Sequence, residues 1–267
     1  MKKIILYISI SLVAVSCNKD GVKVISTMNL PVVESYLIAG GPIQVKLSLP
    51  VSVNQDATNP EYINGQTVVV SINNVPTILK SMGNGLYQDD TMTVKEGNTY
   101  KLSFTYNGLS VTASTTVPTK PVGFTASGSS IAIPQFGVGF SPGAGGAPAF
   151  PTPVSYTWTN NDQSYYFLAA KCMESTLTSI NTDTTENRPR FSRQPTQENT
   201  ASLSFNSFSY YGLHHVYLYK ANIEYAALYK STGTNSLNIT NPVTNIQNGF
   251  GIFTSFGVDS LILNVTK

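Results

Sequence analysis

The sequence predicts an all-β protein: two β-sandwich domains, immunoglobulin-like or transthyretin-like, behind a short cleaved leader, with at most one short helix in the second domain. Three observations predict it. Apolar residues recur at every second position in several runs, as they do along strands whose side chains alternate between two faces. Only 11% of residues are charged, while Ser, Thr, Asn, Tyr and Val are plentiful, the composition of an exported β protein. Turn residues, above all Asn107-Gly108, punctuate these runs at short spacing.

The leader comes first. Lys2 and Lys3 precede an apolar run from Ile4 to Val15, which closes on Ala14-Val15-Ser16 directly before Cys17. The run is short of the ~20 residues that span a bilayer, and it has the charged front and small-residue exit of a cleaved signal. Residues 1–16 therefore read as a lipoprotein signal peptide, Cys17 as the lipidated residue and residues 17–30 as its tether, which predicts a lipid-anchored protein of the outer membrane. Asn18-Lys19-Asp20 resembles the lysine-plus-acid signal of surface-displayed lipoproteins in Bacteroidota, favouring surface exposure over the periplasmic face.

Cleavage also changes the charge and redox balance. The formal charge of +2 includes Lys2 and Lys3, so the body keeps 14 basic and 14 acidic residues. Phosphate binding needs a clear basic excess, so nucleic acid is excluded as a partner. Of the two cysteines the lipid consumes Cys17, leaving Cys172 with no partner for an internal disulfide and an expected place as a buried, inert thiol.

The first domain is expected over residues 31–118. Positions 43, 45, 47, 49, 51 and 53 are all apolar and read as one strand, with Pro50 demanding an edge or a bulge. Gln66 to Ile72 is a second strand, closed by Asn73-Asn74. Tyr100, Leu102, Phe104 and Tyr106 alternate with polar residues, Asn107-Gly108 turns the chain, and Leu109, Val111, Ala113 and Val117 resume the pattern. Asn-Gly tolerates the positive φ angles of a type I′ turn, so this is a β-hairpin.

Pro118-Thr-Lys-Pro121 marks the boundary, and residues 122–267 form the second domain. Gly137 to Pro153 reads as a loop, Val154 to Trp158 and Tyr165 to Cys172 as strands, and Glu174 to Thr200 as a long polar excursion. Ser202 to Phe208 and His214 to Ala221 are further strands. Ile223 to Lys230 is ambiguous, its good helix formers suiting two turns. A bend at Asn248-Gly-Phe-Gly251 precedes a closing strand with Leu261, Leu263 and Val265 on one face.

Chemistry-bearing patterns are sparse. His214 and His215 are the only histidines, and adjacent strand residues point to opposite faces, so they cannot clamp one metal together. Asp89-Asp90 reads as a solvated turn rather than a calcium loop. No nucleophile elbow, phosphate loop or zinc motif is present. No catalytic residue, metal or cofactor is expected, and the protein is read as non-enzymatic.

Binding features are richer. All three arginines fall in Arg188-Pro-Arg190-Phe191-Ser-Arg193, whose forked guanidinium groups suit a docking loop for a receptor or an anionic surface; a plain solvated loop is the competing reading. Fifteen tyrosines include Tyr165, Tyr210, Tyr211, Tyr217 and Tyr219, which suit an aromatic platform for a protein or a sugar, against core filling as the structural alternative. Thr91, Thr184 and Ser260 each follow an aspartate in the pattern that resembles O-glycosylation sites of Bacteroidota.

Three segments in order, Val33 to Leu47, Trp158 with Tyr165-Tyr166-Phe167-Leu168, and Thr244 to Phe253, resemble a family known as domain of unknown function 4249, a group of Bacteroidota cell-envelope lipoproteins. The resemblance implies an all-β, lipid-anchored protein and an accessory role beside a TonB-dependent outer-membrane receptor. It brings no catalytic residues. The expected function is a binding or accessory subunit at the outer membrane, with a glycan-binding or adhesive surface module as the alternative.

Overall fold

A computed structural model describes residues 30–51, 60–134, 151–180, 194–230 and 243–267. Among the described residues the chain is all-β with one short α-helix. The first core lies between two sheets. One side carries β1 (Val32–Ile38), β2 (Pro42–Ser48), β5 (Lys80–Gly83) and β6 (Leu86–Thr93); the other carries β3 (Val69–Ile72), β4 (Val75–Ile78), β7 (Thr99–Tyr106) and β8 (Leu109–Thr116) in the order β4-β3-β7-β8. Leu37, Ile43, Leu47, Tyr87, Tyr100 and Leu102 fill the space between them. Their every-second-residue spacing is what turns one face of each strand inward.

The second core forms between β9 (Val122–Ala126), β11 (Val154–Thr159) and β14 (Thr200–Leu203) on one side, and β12 (Tyr165–Cys172) and β15 (Tyr210–Ala221) on the other. Tyr156, Trp158, Tyr166, Leu218 and Leu263 are buried there. Two small strands, β10 (Ser130–Ala132) and β13 (Thr178–Ser179), extend this side.

The last strand joins the halves. β16 (Phe250–Thr266) runs parallel to β1 through Phe250–Phe256, then antiparallel to β15 through Phe256–Val265. One sheet, β12-β15-β16-β1-β2-β6-β5, therefore passes through both sandwiches. Phe253 of β16 sits in the first core, Leu263 and Val265 in the second. The proline-bounded connection crosses this strand closely: a Cβ on Gly257 would lie 2.4 Å from the Thr119 carbonyl oxygen.

Several expectations need correction. The first expected strand ends at Ser48, leaving Pro50 beyond it, and β1 precedes it where no strand was expected from the apolar pattern. Asp89-Asp90 lies inside β6 rather than in a turn, and Asp89 is buried. Ser202 to Phe208 is split: β14 stops at Leu203 and a 3₁₀ turn covers Phe205–Ser207. Cys172 is half-buried rather than buried, its Sγ 3.8 Å from the Tyr211 carbonyl oxygen. Ile223–Lys230 is helical, α1, and Asn107 and Gly108 take φ of 48° and 76° at the hairpin tip as the sequence predicts.

Candidate binding groove on the outer sheet face

Alternation places a second set of side chains on the outer face of the large sheet. On β15, Val216 and Leu218 point into the second core, so Tyr217 and Tyr219 point outward. Phe167 on β12 lies opposite Tyr219 in the register and stacks on it, with ring centroids 4.9 Å apart. Tyr36 and Ile38 on β1 lie opposite Thr254 and Phe256 on β16. Helix α1 then packs over this surface. Its residues Tyr225, Leu228 and Tyr229 are spaced by three and four, which puts them on one helical face.

The rings form a connected cluster. Tyr225 meets Phe256 at 4.9 Å edge-on, Phe167 at 5.3 Å and Tyr229 at 5.5 Å, while Tyr36 stands edge-on to Tyr225 at 6.3 Å. These residues line a groove of about 420 Å³. Its floor is buried, with Phe256 and Tyr225 only 4% and 7% exposed; its rim is open, with Tyr36 at 42% and Ile38 at 36%. Offset and edge-on ring pairs of this kind hold their geometry, contributing ~0.5–1.5 kcal/mol each beyond area burial. Glu34, two residues before Tyr36 on the same strand face, adds one exposed carboxylate to the lining.

The expected tyrosines are divided by the fold. Tyr219 lines the groove, Tyr217 continues the ring ladder 5.9 Å from it, and Tyr165 packs beside them, its hydroxyl accepting a hydrogen bond from Lys230 Nζ at 2.7 Å. Tyr211 is not with them. It is buried in the second core, donating its hydroxyl to the Ile133 carbonyl at 3.0 Å, because Gly212 at φ +108° interrupts the alternation of β15. Tyr210 is half-buried at the start of β15, opposite Ser179. The sequence reading missed Glu34, Tyr36, Phe167 and Phe256 as site residues. The signal was Glu34-Ser-Tyr36-Leu-Ile38, an alternation whose outward members are themselves large.

The remaining candidates are scattered. Thr91 is exposed on β6, and its hydroxyl and backbone N–H both donate to Asp89 Oδ1, at 2.6 and 2.7 Å, holding that carboxyl below its usual range. Ser260 is half-buried in β16 opposite Tyr217. Cys17, Thr184, Arg188, Arg190, Phe191 and Arg193 lie outside the described residues. His214 faces the second core, where Phe208 packs edge-on at 5.2 Å, while His215 stacks on Tyr217 at 5.6 Å on the outer side. Among the described residues no group of three His, Cys, Asp or Glu is placed to hold a metal, and no helix is long and apolar enough to cross a membrane.

A smaller cavity of about 300 Å³ opens into the second sandwich, lined by Trp158, Tyr166, Leu168 and the hydroxyl residues Thr196, Ser202 and Ser207. In a comparison with known families, the family described as "Domain of unknown function (DUF4249)" matches residues 22–262. No curated protein matches the chain.

Proposed function

The chain belongs to the DUF4249 family, and from that premise we propose that it is a non-enzymatic binding subunit, held at the outer membrane by a lipid on Cys17 and working beside a TonB-dependent receptor. The observation that carries the binding reading is the aromatic groove on the outer sheet face, with Tyr36 and Ile38 exposed at its rim. Interfaces draw most of their affinity from a few aromatic anchors in well-formed pockets, and this groove supplies both. A lipid tether raises the effective concentration of a membrane neighbour, so a face of modest affinity is sufficient.

Affinity purification of the tagged protein from its native membrane tests this. Wild type recovers an outer-membrane receptor, and Tyr36→Ser with Ile38→Ser recovers much less of it; recovery of no receptor by wild type rejects the proposal. Palmitate labelling of wild type but not of Cys17→Ala tests the anchor.

The second reading, a glycan-binding module, draws on Glu34 beside the rings, since sugars are held by an aromatic face together with a polar group. Binding of neutral oligosaccharides that Tyr36→Ser abolishes, with no receptor recovered, favours it.

A further inference from the structure

β1 is the strand through which the N-terminal segment enters the described fold, and its neighbours decide what a pull on that segment does. All seven residues of β1 stand opposite β16 in a parallel ladder, with Val32 facing Phe250 and Ile38 facing Phe256. Backbone bonds close the ladder at both ends. The Phe250 N–H donates to the Pro31 carbonyl at 2.8 Å, and the Ala39 N–H donates to the Phe256 carbonyl at 3.0 Å. On its other side β1 pairs with β2 through Val32, Val33 and Glu34, and the Ser35 hydroxyl donates to the Gln44 carbonyl at 2.6 Å. β1 is therefore an interior strand of its sheet, with Val33 and Leu37 fully buried in the first core.

Because the ladder is parallel, the chain enters β1 at the end where β16 begins, while β16, 17 residues long, leaves at the opposite end. A force that draws the N-terminal segment away from the body therefore runs along the strands. The evenly spaced bonds of a parallel pair then share the load and fail together, and β1 cannot slide without pulling Val33 and Leu37 out of the core. A force across the strands would open the same bonds one at a time. We propose that β1 and β16 form a shear clamp, through which the fold bears tension between its N-terminal tether and a bound membrane neighbour. The antiparallel pairing of β16 with β15, from Gly212 to Ala221, passes that load on into the second sandwich. The load itself is the one that a lipid on Cys17 would impose, so the clamp's use rests on the anchored reading of the protein.

The test is single-molecule force spectroscopy of the full chain in two pulling geometries at one loading rate, in a Cys172→Ser background. Handles on Cys17 and Lys267 draw β1 and β16 past each other along their length. Handles on Cys17 and on Gln247→Cys, an exposed position beside the start of β16, pull across the ladder from one end. Forced unfolding reports the barrier to rupture, and the lengthwise pull first yields at a severalfold higher force than the crosswise pull. Gly251→Ala, which sets a Cβ against the Val33 carbonyl, lowers the lengthwise force. Equal forces in the two geometries overturn the clamp, and so does a lengthwise pull that yields without a resolved peak. Palmitate labelling is a separate outcome: a chain that labels on Cys17 but yields equally in both geometries keeps its anchor and loses the clamp, whereas one that resists shear without labelling keeps the clamp and loses the anchor.

Discussion

The carboxylate of Glu224, in the first turn of α1, accepts a hydrogen bond from the hydroxyl of Thr115 on β8 at 2.8 Å, across 109 residues of chain. Around this bond lies a buried polar clasp. Glu224 also accepts from Thr254 on β16 at 3.2 Å, and Asn222 donates to the Thr115 hydroxyl, the Thr116 carbonyl and the Ser255 hydroxyl at 2.9, 2.9 and 3.0 Å. The clasp ties the first sandwich, the shared strand and the helix that covers the groove.

Breaking the clasp has a defined cost. Thr115, Thr254 and Ser255 are buried, so their hydroxyls need partners inside the protein. Asn222→Ala removes the shared donor and is expected to lower unfolding stability by about 1–3 kcal/mol. Because α1 supplies Tyr225, Leu228 and Tyr229 to the groove, recovery of the receptor falls with it. Urea denaturation measures the first effect and affinity purification the second; an unchanged denaturation midpoint counts against the clasp.

Gly251 lies where β16 first meets β1. Its φ is +91°, and a Cβ there would stand 2.0 Å from the Val33 carbonyl oxygen. Gly40 has nearly the same backbone angle, +85°, with nothing within 4 Å of its Cβ position. The pair separates backbone strain from collision. Gly40→Ala is expected to cost about 1–2 kcal/mol, the left-handed penalty alone, and Gly251→Ala clearly more, with loss of the β1–β16 pairing. Equal losses in denaturation would falsify the close approach.

His214 predicts an acid weakness. Burial in the second core pushes its imidazole pKa below the ordinary value, against weaker raising effects from the hydrogen bond with the Gly212 carbonyl and from Glu174. In the unfolded chain the group takes up a proton as pH falls through 6.5, while the folded chain resists until a lower pH. The unfolded state then binds more protons, so stability is full above pH 6.5 and declines below it. Melting temperatures between pH 8 and 5, compared with His214→Phe, measure this; a variant with the same decline over pH 6.5 to 5 rules His214 out as the cause.

Tyr156 predicts the opposite limb. It is fully buried against Phe124, its hydroxyl makes no hydrogen bond among the described residues, and burial pushes its pKa up to about 12. An unfolded phenol loses its proton near pH 10, so the unfolded state binds fewer protons between pH 10 and 12 and stability falls as pH rises through that window. Tyr156→Phe removes both the buried polar atom and this titration. It is expected to change neutral-pH stability little or to raise it by about 1 kcal/mol, and to soften the alkaline loss. Burial also raises Tyr166 and Tyr211, so the loss does not vanish. A variant destabilised by several kcal/mol at pH 7 would show that the hydroxyl is paired.

Local rules were readable from the chain. The Tyr100–Val117 hairpin followed from alternation and one Asn-Gly pair, because strand period and turn geometry depend on neighbouring residues alone. The opposite faces of His214 and His215 followed in the same way. Where the chain departs from alternation, the cause was local but hidden: Gly212 re-aims Tyr211 inward, and a glycine's φ is not written in its identity.

The sequence by itself determined an all-β chain with at most one short helix, two cores' worth of alternating strands, and fifteen tyrosines whose division between core and surface it left open. Only the tertiary structure decided that β16 would belong to both sandwiches and that Tyr36, Phe167, Tyr219, Tyr225 and Phe256 would converge on one groove. The physical reason is range. Alternation tells which face of its own strand a residue occupies, whereas the register of β1 on β16, from Val32 opposite Phe250 onward, and of β12 on β15, from Tyr165 opposite Ala221 onward, sets which rings meet.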